Sequence, residues 1–148
     1  MQNNAEMQII IWQASYDTGI ALIDAQHREL ADLINELYRA CRLGDEVGAA
    51  FKEAMSRMVA YVKFHFKAEQ EMLHRVNYPG YHEHIREHER LIKDILESAK
   101  DFSVGKRFVP YNFVRLLRDW VLSHIAVMDK DYALYIADLK KKGLFHDI

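Results

Sequence analysis

The chain contains a single cysteine, Cys41, so an internal disulfide framework is excluded. Proline and glycine are also scarce, with two and six residues among 148, and long elements of secondary structure are therefore possible. The N-terminal stretch 7–12 is apolar over only a few residues and has no basic residue before it, which fits neither a signal peptide nor a membrane span. We expect a cytoplasmic location, no membrane insertion, and a buried structural role for Cys41.

A strong net charge is lacking as well. The 20 lysines and arginines nearly balance the 22 aspartates and glutamates, giving a formal net charge of −2. Nucleic-acid binding requires a dense basic surface, and the only cluster of lysines is the short run 140–142, so we expect no nucleic-acid partner. With half of its residues hydrophobic and 28% charged, the chain has the composition of a globular protein, and its length predicts a single domain, 1–148.

The few glycines and prolines fall near residues 19, 44–48, 78–80, 105–110 and 143, and they separate four long segments. In each segment apolar residues recur at spacings of three and four, which is typical of amphipathic helices, and no segment shows the sustained alternation of a strand. The predicted fold class is all-α. Short connections favour antiparallel neighbours, so we expect an up-down-up-down four-helix bundle over about residues 19–142. Residues 1–18 are expected to form an extended N-terminal arm, with 9–12 lying across the bundle.

Polar residues interrupt the apolar stripes of all four predicted helices. His65 with Glu69, and His84 with His88, are four residues apart, so each pair lies within about 40° on one helix face and can reach one point. Any one of these residues alone is best explained as a hydrogen-bonded core residue. Seven on converging stripes need a common partner, because each unpaired buried group costs on the order of 1 kcal/mol or more. The seven are His27 in the first helix, His65 and Glu69 in the second, His84 and His88 in the third, and His124 and Asp129 in the fourth.

This set of side chains predicts a metal centre. Five imidazoles and two carboxylates are too many ligands for one ion, and without a thiolate they do not form a closed zinc site of the cysteine type. Two metal ions are indicated, and the nitrogen and oxygen ligands leave iron, manganese, copper and zinc open. His74 and His82 point away from the stripes and are expected to face solvent, and His146 in the tail has no assigned role.

One spacing does not suit a regular helix. His124 and Asp129 are five residues apart, which would separate them by about 140° around the helix axis. After Asp129 the stripe continues through Tyr132, Ile136 and Leu139, one residue out of step with His124. An inserted residue in a wide turn has this effect, so we predict a π-bulge between His124 and Asp129.

Several short motifs resemble those of the hemerythrin family, and of bacteriohemerythrins in particular. They are Ile23-Asp24-Ala25-Gln26-His27, His65-Phe66-Lys67-Ala68-Glu69, Tyr78-Pro79-Gly80-Tyr81 followed by His84 and His88, and Trp120-Val121-Leu122-Ser123-His124-Ile125 followed by Asp129. The resemblance covers nearly the whole chain, and no ligand position departs from the family's pattern. It implies a non-haem centre of two iron ions (Fe2+/Fe3+) with an oxo or hydroxo bridge, and dioxygen as its ligand.

The resemblance also implies how the ligands divide. The three histidines of the third and fourth helices would bind one iron, the two of the first and second helices would bind the other, and both carboxylates would bridge. The second iron then has one ligand fewer, which leaves the position where dioxygen binds. Candidates for the apolar wall of this oxygen pocket are Ile23, Met58, Val62, Trp120 and Ile125, although ordinary core packing explains each of them equally well.

The function implied by the resemblance is reversible dioxygen binding for oxygen carriage, storage or delivery, and we do not expect the chain itself to be an enzyme. An alternative is an oxygen- or redox-sensing input domain of a bacterial signalling protein such as a cyclase or chemoreceptor. A di-iron oxidase or iron-storage role is less favoured, because ferritin-like sites are rich in glutamate and carry Glu-x-x-His motifs. The expected partners are dioxygen and either an oxygen-using enzyme or a fused signalling output domain.

Overall fold

The computed structural model describes residues 8–42, 47–103 and 110–145, and within these ranges it contains helices and no strands, as the periodicity predicts. The fourth helix of the bundle is continuous but has three parts. The elements are a 3-10 turn at Ala14–Tyr16, then α1 (Ala21–Ala40), α2 (Val47–Arg75), α3 (Tyr81–Ser103), α4 (Pro110–His124), a π-helical segment (Ile125–Asp129) and α5 (Lys130–Lys141). The first helix packs against α2 and α4, and α2 packs against α3, so the structure is the predicted four-helix bundle.

The start of α1 is held by a side chain from inside the helix. The Oδ1 atom of Asp24 accepts hydrogen bonds from the backbone N–H and the hydroxyl of Thr18, both over 2.7 Å, and its Oδ2 atom accepts one from the N–H of Gly19 over 3.1 Å. The φ angle of Gly19 is 85°, in the left-handed region that glycine adopts without strain. The carboxylate of Asp24 also complements the positive end of the helix dipole. Together these contacts fix the direction in which α1 enters the bundle.

Two apolar clusters fill the bundle, and the polar positions lie between them along every helix. The larger cluster contains Leu30 and Ile34 of α1, and the smaller one contains Ile20 and Ile23, so His27 falls between them. The same order holds in the other helices. The fully buried members of the larger cluster include Leu37, Phe51, Met58 and Val114, and those of the smaller one include Met72, Leu73, Tyr132 and Ile136. Burial of these apolar side chains holds the helices at fixed positions. The histidines and carboxylates between the two clusters, His27 among them, form what we call the polar layer.

The N-terminal segment lies against the bundle and is fastened there by Asn35 of α1. The Asn35 side-chain oxygen accepts hydrogen bonds from the N–H groups of Ile9 and Ile10, and its amide donates to the carbonyl of Ile10, each over 2.9 Å. Ile10 is buried, and Ile9 and Trp12 pack against the larger cluster. Ile11 differs from the expectation for this segment, because its side chain is 59% exposed. Ile11 is therefore the one residue of the stretch 9–12 whose side chain points to solvent.

Two further expectations concern Cys41 and the membrane. Cys41 is only partly buried; it follows the last residue of α1 and packs against the larger apolar cluster. Burial still raises the pKa of its thiol to about 11, so the thiol stays protonated and unreactive at neutral pH. Among the helices of the described residues, none combines the length and the apolar character that crossing a bilayer requires.

Candidate metal centre

The seven polar residues predicted from the stripes come together at one level of the bundle. All are buried, and even the most exposed of them, His124, has only 8% of its surface accessible. By helix they are His27 (α1), His65 and Glu69 (α2), His84 and His88 (α3), His124 (α4) and Asp129 (the end of the π-helical segment). The exposed side chains of His74 and His82 confirm the expectation that they face solvent, and His146 lies outside the described residues.

The predicted π-bulge is confirmed between His124 and Asp129. Residues Ile125–Asp129 form a π-helical segment, with regular α-helix on both sides. The wider turn takes up the extra residue, so a spacing of five brings both side chains to the same face. His124 Nε2 lies 3.2 Å from Asp129 Oδ1, and Asp129 itself is fully buried. A regular helix would have turned the carboxylate away from the centre.

Glu69 lies between two groups of histidines and offers one oxygen to each. Its Oε1 atom contacts His84 Nε2 and lies 3.0 Å from His88 Nε2. Its Oε2 atom lies 3.3 Å from His65 Nε2 and 3.5 Å from His27 Nε2. The carboxylate therefore has the two-sided arrangement that is needed to bridge two metal ions.

Asp129 repeats this arrangement from the fourth helix. Its Oδ1 atom lies 3.2 Å from His124 Nε2 and 3.4 Å from His84 Nε2, and its Oδ2 atom lies 3.1 Å from His27 Nε2. Two donor sets result. We call them the three-histidine set, with His84, His88, His124, Glu69 Oε1 and Asp129 Oδ1, and the two-histidine set, with His27, His65, Glu69 Oε2 and Asp129 Oδ2.

The donor atoms fit metal ions better than they fit one another. Among the described residues, several buried atoms at the centre have no hydrogen-bond partner, and each such atom costs about 1–3 kcal/mol. They include Nε2 of His27, His88 and His124 and both carboxylate oxygens of Asp129. Ligand atoms of Glu69, His84, His88 and His124 lie within 4.8 Å of one another, and so do those of His27, His65 and Glu69. Imidazole nitrogen with carboxylate oxygen is a donor set suited to non-haem iron.

The side chains also perturb one another's pKa values. Burial disfavours the charged form of His27, but its contacts with Asp129 and Glu69 outweigh burial and raise its pKa to about 10. For His88 burial prevails and lowers the pKa to about 4. Burial likewise opposes ionisation of Glu69 and Asp129, yet the neighbouring histidines hold both carboxyl pKa values below their ordinary values. The centre therefore contains two buried carboxylates whose charge must be balanced by protons or by metal ions.

Four residues around the centre were missed by the stripe argument. Tyr132 is fully buried and donates a hydrogen bond to Glu69 Oε2 over 2.9 Å, and it lies on the predicted stripe of the fourth helix, so a signal for it existed. Gln26 and Gln70 contact the Nδ1 atoms of His65 and His88, but they are off the stripes. Phe66 is also off the stripe, and its ring stacks on that of His88, with centroids 3.6 Å apart and planes within 2°.

The five candidates for the oxygen pocket do not all share one environment. Met58, Val62 and Ile125 are buried in the larger apolar cluster, and Trp120 packs against it, half-buried, with its ring stacked on His124 at 4.7 Å. Ile23 is buried in the smaller cluster, on the other side of the polar layer. Its assignment to the same wall stays a prediction.

A buried layer of histidines and carboxylates inside four helices defines a metal-binding helical bundle. The family model described as the hemerythrin HHE cation binding domain matches residues 18–136 of the chain. The chain therefore belongs to the hemerythrin family.

Individual relatives agree with this assignment. The chain is 29% identical over 129 residues to a bacteriohemerythrin of Methylococcus capsulatus, covering 85% of this chain and 95% of the relative. It is 32% identical over 127 residues to a bacteriohemerythrin of Stenotrophomonas maltophilia, covering 86% and 81% respectively. A crystal structure of wild-type hemerythrin matches with a TM-score of 0.79 and 27% identity, over 84% of this chain and 95% of that one.

Proposed function

We propose that the chain binds dioxygen reversibly at a non-haem di-iron centre held by the two donor sets. The observation that carries this proposal is the division of each carboxylate between the sets, which gives five donor atoms on one side and four on the other. An iron ion in the two-histidine set would have one protein ligand fewer than its neighbour. The iron pair, when bound, supplies the two electrons that reversible dioxygen binding uses.

The protein side chains have three tasks in this proposal. The seven ligands hold the charge and geometry of the centre. Tyr132 anchors Glu69 by donating a hydrogen bond, and its own pKa is raised well above the ordinary value because burial and the nearby carboxylates disfavour its ionisation. The buried apolar side chains of Phe66, Val62 and Ile125 oppose the entry of water, because a path between them offers water no hydrogen-bonding partner.

The proposed role is oxygen carriage, storage or delivery, and not catalysis. Similarity to two bacteriohemerythrins, one of which is matched over 95% of its own length, supports the oxygen-binding chemistry on which this role depends. An oxygen-sensing role would use the same binding chemistry and would require a signalling output that responds to it. The proposal includes the cytoplasmic location expected from the sequence, which cell fractionation tests.

The deciding experiment is iron quantification combined with absorption spectra of anaerobically reduced protein, recorded before air, in air, and after argon. Two irons per chain and a visible band that appears in air and disappears under argon are expected. A band that does not reverse under argon contradicts carriage. Steady oxygen consumption with added substrates indicates an oxidase instead, and protein without iron contradicts the metal centre.

A matched pair of histidine variants controls this experiment. His27→Ala removes half of the imidazoles of the two-histidine set and is expected to lower the iron content below two per chain and abolish the reversible band. His82→Ala removes an exposed imidazole of α3 outside the centre and is expected to change neither. Equal iron contents in the two variants would contradict the assignment of His27 as a ligand.

A further inference from the structure

Two glutamines hold the outer nitrogens of two candidate ligands, one in each donor set. Gln26 Oε1 lies 2.7 Å from His65 Nδ1, and Gln70 Nε2 lies 3.0 Å from His88 Nδ1. The Nδ1 atoms of the other three candidate histidines are buried, and among the described residues they have no hydrogen-bond partner. Each donor set thus contains a single imidazole whose outer nitrogen is fixed by a side chain.

The two glutamines are arranged alike in the sequence. Gln26 is the residue before His27, and Gln70 is the residue after Glu69, so each adjoins a candidate ligand in its own helix. Each reaches across to an imidazole of the next helix, from α1 to α2 and from α2 to α3. The orientation of one ligand is therefore tied to the backbone position of another.

The hydrogen bonds select one form of the imidazole. In both histidines Nε2 faces the carboxylates, so a metal ion would be bound there and the proton of the neutral ring must then be on Nδ1. Gln26 already presents the oxygen that accepts a hydrogen bond from the Nδ1–H group of His65. A half-turn of the Gln70 amide about its terminal bond places its oxygen where the nitrogen lies, and the same hydrogen bond then forms from His88.

We propose that Gln26 and Gln70 are positioning residues that select the metal-binding tautomer of His65 and His88 and, as uncharged acceptors, keep the reduction potential of the iron pair high. This inference rests on the proposed function. A carboxylate in the same place would make the imidazole a stronger electron donor and stabilise Fe3+. A neutral amide orients the ring without that effect, and so preserves the Fe2+ form that takes up dioxygen.

Gln70 is the better residue to test, because it is only half-buried and accepts substitution more easily than the buried Gln26. In Gln70→Leu the Nδ1 proton loses its acceptor, and a 10–100-fold loss of Fe2+ affinity is expected in anaerobic competition with a ferrous chelator. In Gln70→Glu the acceptor is kept and charged, so the reduction potential is expected to fall. Glu71→Gln changes the charge at the adjacent exposed position without a contact to a ligand, and is expected to leave affinity and potential near those of the parent.

Three results of these affinity and potential measurements would overturn the proposal. One is equal Fe2+ affinity in the parent and Gln70→Leu. Another is an unchanged potential in Gln70→Glu. The last is a change of reduction potential in Glu71→Gln that is equal and opposite to the change in Gln70→Glu. Such a result would show that the potential responds to any nearby change of charge and not to the hydrogen bond.

A spectroscopic readout on protein loaded with Zn2+ tests the tautomers without iron chemistry. In the parent, the Nδ1 protons of His65 and His88 are expected to exchange more slowly than those of the three imidazoles without a partner, because only these two are hydrogen-bonded to a glutamine, and the slow exchange at His88 is expected to be lost in Gln70→Leu. Retention of the slow exchange at His88 in that variant would overturn the inference. If the parent takes up two irons and binds dioxygen reversibly while these tests fail, the proposed function stands and only the role of the glutamines falls.

Discussion

The hydroxyl of Tyr132 donates a hydrogen bond to Glu69 Oε2 over 2.9 Å, joining two fully buried residues that are 63 positions apart in the chain. Glu69 also contacts four histidines, so Tyr132 holds the residue on which both donor sets depend. The raised pKa of Tyr132 keeps its hydroxyl protonated, and therefore a donor, throughout the neutral and mildly alkaline range.

Tyr132→Phe removes this donor without removing the ring. Because hydrogen bonds to charged groups contribute about 1.5–3 kcal/mol, we expect the free energy of unfolding of the metal-free protein to fall by about that amount in urea titrations. Tyr135→Phe is the matched control, since its hydroxyl donates to the backbone carbonyl of Val76 at a partly exposed position. It is expected to lose about 1 kcal/mol or less. Equal losses in the two variants would contradict the anchoring role of Tyr132.

Removal of the metal is expected to destabilise the whole bundle. A metal ion whose Kd for the folded chain is a thousandfold below its free concentration contributes about 4 kcal/mol. Removal of two such ions corresponds to a fall in Tm on the order of 20 °C for a chain of this size. The unpartnered donors and two buried carboxylates of the centre are the structural reason. Thermal unfolding of iron-loaded and chelator-treated protein measures the difference. Coincident melting curves would show that the seven side chains satisfy one another without metal.

Phe66 is expected to protect the centre from water as well as to support the core. Phe66→Ala removes the ring that stacks on His88, and truncation of a buried phenylalanine costs about 3–5 kcal/mol of stability. The space it leaves beside the imidazole should also speed the irreversible oxidation of reduced iron in air, followed by absorption. Phe64→Ala, two residues earlier on α2 and 58% exposed, is the control, with an expected effect within about 0.5 kcal/mol. A Phe66→Ala protein that oxidises at the parent's rate would rule out the protective role.

Asn35 is expected to control the attachment of the N-terminal segment. Asn35→Ala removes three hydrogen bonds to the backbone of Ile9 and Ile10, so we expect faster amide exchange at these two residues and a loss of about 2 kcal/mol or more. The exchange of amides in α1 should change much less. Unchanged protection of Ile9 and Ile10 would mean that apolar packing alone holds the segment.

The stripe argument predicted the positions of all seven polar residues because helical periodicity fixes which side chains face the core. It even located the π-helical segment, since a spacing of five between His124 and Asp129 conflicts with any regular helix. Their roles as ligands stay a prediction that the iron measurements test.

Contacts off the stripes could not be predicted in this way. Phe66 and Gln70 each follow a candidate ligand in the sequence, and periodicity places such neighbours about 100° away from the core-facing direction. They reach the centre because α3 packs beside α2 and brings His88 to them, which is a property of the tertiary arrangement. The partial exposure of Cys41 could not be predicted either, because periodicity gives the direction of a side chain and not its depth in the packed bundle.

The polar layer separates a larger apolar cluster from a smaller one, and this division makes the two ends of the bundle unequal. Without metal, the end around Ile20, Met72 and Ile136 has little apolar surface of its own to keep the helices together. Local opening should therefore begin there, while the end around Leu37 and Phe51 remains closed. Bound metal ions would then hold the helices together at this end of the bundle. The iron content would determine how often this end opens.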